Sequence, residues 1–195
     1  MKLYLTPGAC SLADHIAIAE AGIDIEAVRV DIPTRKTEHG DDYLAVNPKG
    51  YVPALAFDDG EVLTENVAIL DWVASRTPML VPDGELGRSR LVEMLAFIAT
   101  EIHRPFMRMF FSPAEEEKKA AGAAIAGRLK LLSERLRGDY LFGERFTAAD
   151  AFLYVMLRWA RDSKIAIPSA MDAYVDRVEA RPAVRATLLA EGLVA

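Results

Sequence analysis

The one cysteine of the chain, Cys10, follows Pro7-Gly8-Ala9 and stands where a helix is predicted to begin. Free backbone amides and the partial positive charge of a helix N-terminus stabilise an anion, so the pKa of a thiol at this position is expected to be lowered. The alternative is a small buried apolar side chain, which is the commonest environment of a lone cysteine. Because no second cysteine is present, an intrachain disulfide is excluded, and a reactive Cys10 requires an external thiol.

Two other segments could bind the main chain or the charged end of a ligand. Val52-Pro53 begins a predicted strand, and because proline has no N–H, backbone groups beside it are free to pair with the backbone of a ligand. An ordinary trans proline at a strand start is the alternative. Glu65-Asn66 begins a predicted helix, where an acid complements the helix dipole. In the functional interpretation, Glu65 binds an ammonium group, and Asn66 with the helix amides binds a carboxylate.

His103 lies on a predicted long helix, two residues before Pro105. The side chains on its own helical stripe are small, and they leave room for a cleft beside the imidazole: Ala96, Ala99 and Thr100. A core or surface histidine is the alternative. The other histidines, His15 and His39, have no ligand-like spacing with His103, so no metal site is predicted.

The elements that must position these residues change in character near residue 80. Short β-like runs alternate with helical ones in residues 1–78, with predicted strands at 2–5, 26–30, 54–57 and 61–63 and helices at 11–22 and 65–75. Ser11 and Asp14 form a capping signal for the first helix, and Asp58-Asp59-Gly60 is typical of a hairpin turn. Residues 33–50 are predicted to be irregular. The order βαβ, loop, ββα predicts an α/β unit around a small mixed sheet.

The second part of the chain is predicted to be all-helical. A linker rich in proline and glycine covers 79–87, and a helical domain covers 88–195, with helices at 88–111, 113–138, 147–160, 170–181 and 183–190. Pro105 is expected to kink or end the first of these helices. Thr147 and Asp150 predict a capping box for a helix that is apolar nearly all round and therefore lies in the core.

Composition narrows the functional classes. The chain has 195 residues, a formal net charge of −6 and a pI near 5.2. These values argue against a nucleic-acid binder and a polybasic membrane binder. The longest uncharged apolar run, residues 151–157, is too short to span a bilayer. The N-terminal residues lack the apolar segment of a signal peptide, so a cytoplasmic protein is expected.

Five blocks taken together resemble one family. They are PGACSLADHI at 7–16, NPKGYVPAL at 47–55, LTENVAIL at 63–70, ATEIH at 99–103 and FTAADAFLYVMLRWA at 146–160. In this order they resemble the bacterial beta class of glutathione S-transferases. The resemblance implies a thioredoxin-like N-terminal domain, an all-helical C-terminal domain, glutathione as co-substrate and a homodimer.

The resemblance also implies roles for individual residues. Cys10 takes the position that contacts the glutathione sulfur, with Ser11 beside it, and His103 matches the histidine that faces the sulfur from the helical domain. The backbone of Val52 would pair with the cysteinyl unit of glutathione, next to a cis Pro53.

Further residues are expected to bind the charged ends of glutathione, and some of them differ from the usual family pattern. Glu65 and Asn66 would bind the γ-glutamyl end, although position 66 is often Ser in this family. Arg35 stands where Lys is usual near the glycyl carboxylate, which keeps the charge and changes the geometry. Ala96 replaces an expected Asn, and Pro105 after the histidine is unusual.

Three functions are compatible with these residues. In the first, an enzyme conjugates the glutathione thiolate to a small electrophile in an apolar cleft between the domains, with a hydrophobic lining predicted at Met107, Phe110, Phe111 and Trp159. In the second, Cys10 carries out thiol–disulfide exchange or peroxide reduction with glutathione. The third is a non-catalytic ligand-binding protein with the same architecture. Because the thiol and γ-glutamyl positions are retained, the sequence favours the first.

Overall fold

The computed structural model describes residues 1–194, so Ala195, the last residue of the predicted helical domain, lies outside the described residues. The N-terminal part forms a five-stranded mixed sheet in the order β3-β2-β1-β4-β5. Only β1 and β2 pair in parallel, and the other neighbours are antiparallel. The strands are β1 (Lys2–Leu5), β2 (Glu26–Asp31), β3 (Lys36–Thr37), β4 (Ala54–Ala56) and β5 (Val62–Thr64), and the helices are α1 (Leu12–Glu20) and α2 (Asn66–Arg76). This is the thioredoxin-like arrangement that the resemblance implies.

Alternation of buried side chains places β1 at the centre of this domain. Leu3 and Leu5 are buried on the face that packs against both helices, together with Ile16 of α1 and Ile69 of α2. The predicted hairpin turn is confirmed, because Gly60 has a φ of +94° and the Phe57 amide bonds to the Glu61 carbonyl.

The segment 33–50 is more regular than its sequence predicts. It contains the two-residue strand β3 and a 3₁₀ turn at Tyr43–Ala45. A strand this short has too few residues to produce an alternating pattern, so the sequence carries no signal for it.

The C-terminal part is all-helical, as predicted. Its helices are α3 (Gly87–Ile98), α4 (Arg104–Phe111), α5 (Glu115–Arg135), α6 (Ala148–Asp162), α7 (Ser169–Glu179) and α8 (Pro182–Glu191). Helix α6 is the core helix, because every residue from 148 to 157 is buried. Its predicted capping box is confirmed: the Asp150 carboxylate accepts from the Thr147 amide at 2.7 Å. The division at residues 79–87 stays a prediction.

The first long helix is interrupted next to Pro105, as predicted, but by a π turn, which the sequence did not predict. A π turn at Ala99–His103 joins α3 to α4, and the Arg104 amide donates to the Ala99 carbonyl five residues earlier. Proline cannot donate the regular i→i−4 bond, so the ladder is broken beside it. A π turn changes the direction of the side chains that follow, and such turns occur often at functional sites.

One hydrophobic core runs through both parts of the molecule. A two-pronged ion pair between Arg181 and Glu20, at 2.7 and 2.8 Å, also joins the C-terminal helices to α1. Within residues 1–194, no helix combines the length and the apolar character needed to cross a bilayer.

Candidate active site

A cleft of about 890 Å³ separates the sheet domain from α4 and α6. It brings together Cys10, Val52 and Glu65 from the first domain with His103 from the second. The four hydrophobic residues predicted to bind an electrophile also line it: Met107, Phe110, Phe111 and Trp159. Ala9, Ile32, Tyr51 and Arg104 complete the lining. A cavity of this size and apolar character suits a small organic ligand.

Cys10 is a partly buried thiol whose Sγ donates to the Val52 carbonyl at 3.5 Å. Burial raises its pKa to about 12, and the Asp14 carboxylate adds to this shift. The expectation of a lowered pKa was therefore wrong. The amides of Cys10 and Ser11 act in the predicted direction, but burial outweighs them. Cys10 is thus a neutral hydrogen-bond donor at neutral pH.

The side chain of Ser11 faces the protein interior. Its hydroxyl accepts from the Thr6 amide at 3.2 Å and donates to the Thr6 carbonyl at 3.4 Å. It makes no capping bond to α1, so the predicted Ser11–Asp14 cap is absent. What Ser11 can offer a ligand in the cleft is its backbone.

Asn66 links the two helices that border the site. Its side-chain amide donates to the Cys10 carbonyl at 2.9 Å and to the buried Asp14 carboxylate at 2.6 Å. The side chain does not line the cleft, so the backbone amide remains as the group with which Asn66 can bind a carboxylate. The sequence signal for this link is Asp14 itself, an acid on the buried face of α1.

Glu65 precedes α2 in an unusual backbone conformation, with a φ of +75°. Few residues other than glycine adopt a positive φ, and they are concentrated at functional sites. The carboxylate is half-exposed and accepts from Lys49 Nζ at 2.5 Å, and the same ammonium group donates to Thr64 at 2.8 Å.

Pro53 has the conformation that the resemblance implies, whereas Arg35 lies outside the lining of the cleft. The Val52–Pro53 peptide is cis, as the resemblance implies. Arg35 does not line the cleft, and its guanidinium donates to the Gly50 carbonyl in the loop that leads to this peptide.

His103 faces the cleft from the π turn. Its ring packs against Trp159 and Phe152, with ring centroids 5.5 and 5.9 Å away. Burial lowers its pKa to about 4, so the imidazole is neutral at physiological pH. Its Nε2 atom is buried and has no partner among the described residues. A neutral imidazole has one N–H to donate.

Trp159 connects the aromatic wall to the loop before Cys10, a contact the sequence did not predict. Its Nε1 donates to the Gly8 carbonyl at 2.8 Å, while the Gly8 amide donates to Glu191 at 2.9 Å. The ring also packs against Phe106 and Phe110 at 5.5 and 5.4 Å. The loop that carries Cys10 is therefore held by α6 and α8. Within residues 1–194, no cluster of three or more His, Cys, Asp or Glu is arranged to hold a metal ion.

Comparison with known families decides what this cleft belongs to. Residues 9–76 match the glutathione S-transferase N-terminal domain, and residues 95–182 match the glutathione S-transferase C-terminal domain. The chain belongs to the glutathione S-transferase family. GstA, a glutathione S-transferase of Escherichia coli O157:H7, is 43% identical over 99% of this chain and 100% of its own length.

Solved structures place this transferase in the bacterial beta class. The beta-class enzyme of Sphingomonas chungbukensis is 46% identical with a TM-score of 0.89, and each chain is covered over 100% of its length. A sphingomonad glutathione S-transferase complexed with glutathione is also 46% identical with a TM-score of 0.90, again over 100% of both chains. By family and by fold, the protein is a glutathione transferase.

Proposed function

We propose that glutathione lies along the first domain with its sulfur between Cys10 and His103, and that its thiolate attacks an apolar electrophile held by α4 and α6. The observation that carries the proposal is the convergence of Cys10, Glu65 and His103, from separate elements, on one cleft. Attack forms a carbon–sulfur bond and expels the leaving group, and the thiol proton passes to solvent before attack.

The groups around the sulfur are neutral donors. When glutathione binds, the Cys10 S–H turns from the Val52 carbonyl to the ligand sulfur. Together with the backbone amides at the start of α1 and the His103 N–H, it stabilises a thiolate more than a thiol, because all of these groups donate toward developing negative charge. The raised pKa of Cys10 favours conjugation over thiol–disulfide exchange, since exchange requires Cys10 itself to ionise.

The γ-glutamyl end fits the start of α2. Glu65 binds the ammonium group, and the free amides at the N-terminus of α2, which begins at Asn66, bind the carboxylate. Lys49 Nζ contacts the Glu65 carboxylate in the free protein. The ammonium group of the ligand therefore takes the place of the Lys49 ammonium group when it binds Glu65. The backbone of Val52, beside cis Pro53, pairs with the cysteinyl unit.

The electrophile contacts side chains that are predominantly apolar: Met107, Phe110, Phe111 and Trp159. An apolar lining of this kind selects electrophiles by their hydrophobicity and size more than by their polar groups.

The enzyme works in the cytoplasm, where thiols are kept reduced. It works there as a homodimer. Exposed apolar side chains near the domain junction and on α3 support a subunit interface: Met79, Leu86 and Val92. Sedimentation at micromolar concentration measures the dimer, and a monomer mass would contradict it.

Calorimetry followed by turnover tests the proposed site. Glutathione and S-methylglutathione should both bind, and glutathione alone should convert 1-chloro-2,4-dinitrobenzene to its thioether. Glu65→Gln should weaken binding of both peptides, because both carry the γ-glutamyl ammonium. Unchanged binding by this variant would contradict the proposed orientation. Intact-protein mass after mild oxidation tests the exchange alternative, which requires a glutathione adduct on Cys10.

A further inference from the structure

The cleft contains a charge that the proposed roles leave unused. Two formally charged side chains line it, Glu65 and Arg104, beside the neutral His103. Glu65 is paired with Lys49. The side chain of Arg104 makes no hydrogen bond or ion pair with any residue in 1–194, and the residues that follow it along the lining of α4 are apolar.

We infer that the electrophile carries an anionic group, such as a carboxylate, and that Arg104 binds it. This inference rests on the proposed function and names the substrate class of the same site. A guanidinium binds a carboxylate through two parallel hydrogen bonds, so it fixes orientation as well as charge.

The position of Arg104 on α4 supports this assignment. Met107 follows it by three residues and Phe111 by seven, so the three side chains lie on one face of the helix. Arg104 stands at the end of that face next to His103, which is the end nearest the proposed sulfur. The anionic group of the substrate is thus placed near its reacting carbon, and the apolar body extends toward Phe111.

The electrostatic setting strengthens the argument. The chain carries a net charge of −6, which disfavours approach of an anion at long range. A cation in the cleft counters this repulsion locally, and the apolar walls reduce screening of the pair. A neutral electrophile would gain less from a guanidinium at this position, because it offers only uncharged acceptors.

Arg108 provides a matched control. It lies one turn further along α4, is exposed like Arg104 and does not line the cleft. Replacing either arginine with glutamine changes the net charge of the protein equally, so only a local contact distinguishes the two variants.

The test compares 2-chloro-3,5-dinitrobenzoate, whose carboxylate is ortho to the reacting carbon, with its methyl ester, which has the same leaving group and no charge. Arg104→Gln should lower kcat/KM for the carboxylate by about threefold to tenfold and change the ester by less than about twofold. Arg104→Lys should retain part of the preference, and Arg108→Gln should change neither substrate. The KM for glutathione should be unchanged in all three variants.

Three results would overturn the inference. An equal loss on both electrophiles would assign Arg104 to something other than the substrate anion. A rise in the KM for glutathione would assign it to a carboxylate of the peptide. No loss on either electrophile would leave Arg104 without a role in the reaction. If the folded wild-type enzyme turned over neither compound and bound no glutathione, the proposed function itself would fail, which is a separate outcome.

Discussion

The two walls of the cleft are built on different principles. On the first domain, Cys10, Val52 and Glu65 lie in or beside connections between regular elements, where main-chain geometry is fixed by Asn66, by the positive φ of Glu65 and by the clamp on Gly8. On the helical domain, the wall consists of side chains. Phe110 and Phe111 are 43% and 78% exposed.

Each wall suits one of the two ligands: the first binds glutathione, and the second binds the electrophile. A tripeptide of constant structure is recognised by polar groups in fixed positions, because each unmet hydrogen bond costs free energy. An apolar partner of variable shape is accepted by side chains that can change rotamer. Substitutions in the first wall should therefore affect every electrophile equally, whereas those in the second should depend on the electrophile.

The largest effect is expected for Glu65→Gln. Loss of a charge-assisted bond to the glutathione ammonium should lower kcat/KM by about 30-fold to 100-fold with every electrophile. Steady-state rates with two electrophiles of different size measure this. Glu61→Gln, on the exposed hairpin of the same domain, is the control and should retain full activity. A loss that differed between electrophiles would contradict the division of the two walls.

His103→Gln should change the pH dependence of stability. The folded-state pKa of about 4 lies below the ordinary value of 6.5, so between these values the unfolded chain binds a proton that the folded chain does not. His103 therefore makes stability rise with pH across this window. The variant should reduce that slope by at most about 1.4 kcal/mol per pH unit. Urea denaturation at several pH values measures it, and an unchanged slope would show that His103 titrates normally.

Phe111→Ala should give a smaller effect that depends on the substrate. Because the side chain is 78% exposed, the free energy of unfolding should change by less than about 0.5 kcal/mol. The kcat/KM should fall by about threefold for a bulky electrophile and remain unchanged for a small one. Equal losses for both would mean that Phe111 supports the cleft without contacting the electrophile.

The smallest effect is expected for Lys49→Met. Removing the ammonium that contacts Glu65 should lower the Kd for glutathione by about twofold at low salt, since exposed ion pairs contribute little. The gain should disappear at high ionic strength. Calorimetry at two salt concentrations measures this change, and weaker binding would show that Lys49 positions Glu65 instead of competing for it.

What the sequence predicts well depends on neighbours along the chain. Strand β1, the hairpin at Asp58-Asp59-Gly60 and the Thr147–Asp150 capping box each rest on a few adjacent residues, and all three are present. Each signal is local, so distant contacts do not override it.

What the sequence did not predict depends on distant contacts. The pKa of Cys10 is set by burial under other segments, and its carbonyl is bonded by Asn66, 56 positions away. From its spacing alone, His103 could lie either in the core or in the cleft. The π turn before Pro105 decides which way its side chain points. Likewise, no local pattern could show that Ser11 bonds to Thr6 instead of capping α1.

The central claim is that neutral donors from both domains keep the sulfur of glutathione ionised in the cleft. The Cys10→Ala variant contains no thiol of its own, because the chain has one cysteine. Ultraviolet absorbance of the thiolate in this variant with bound glutathione, followed against pH, therefore reports the ligand sulfur alone. The account predicts an apparent pKa at least one unit below that of free glutathione, held by His103 and the backbone amides. An unshifted pKa would contradict it.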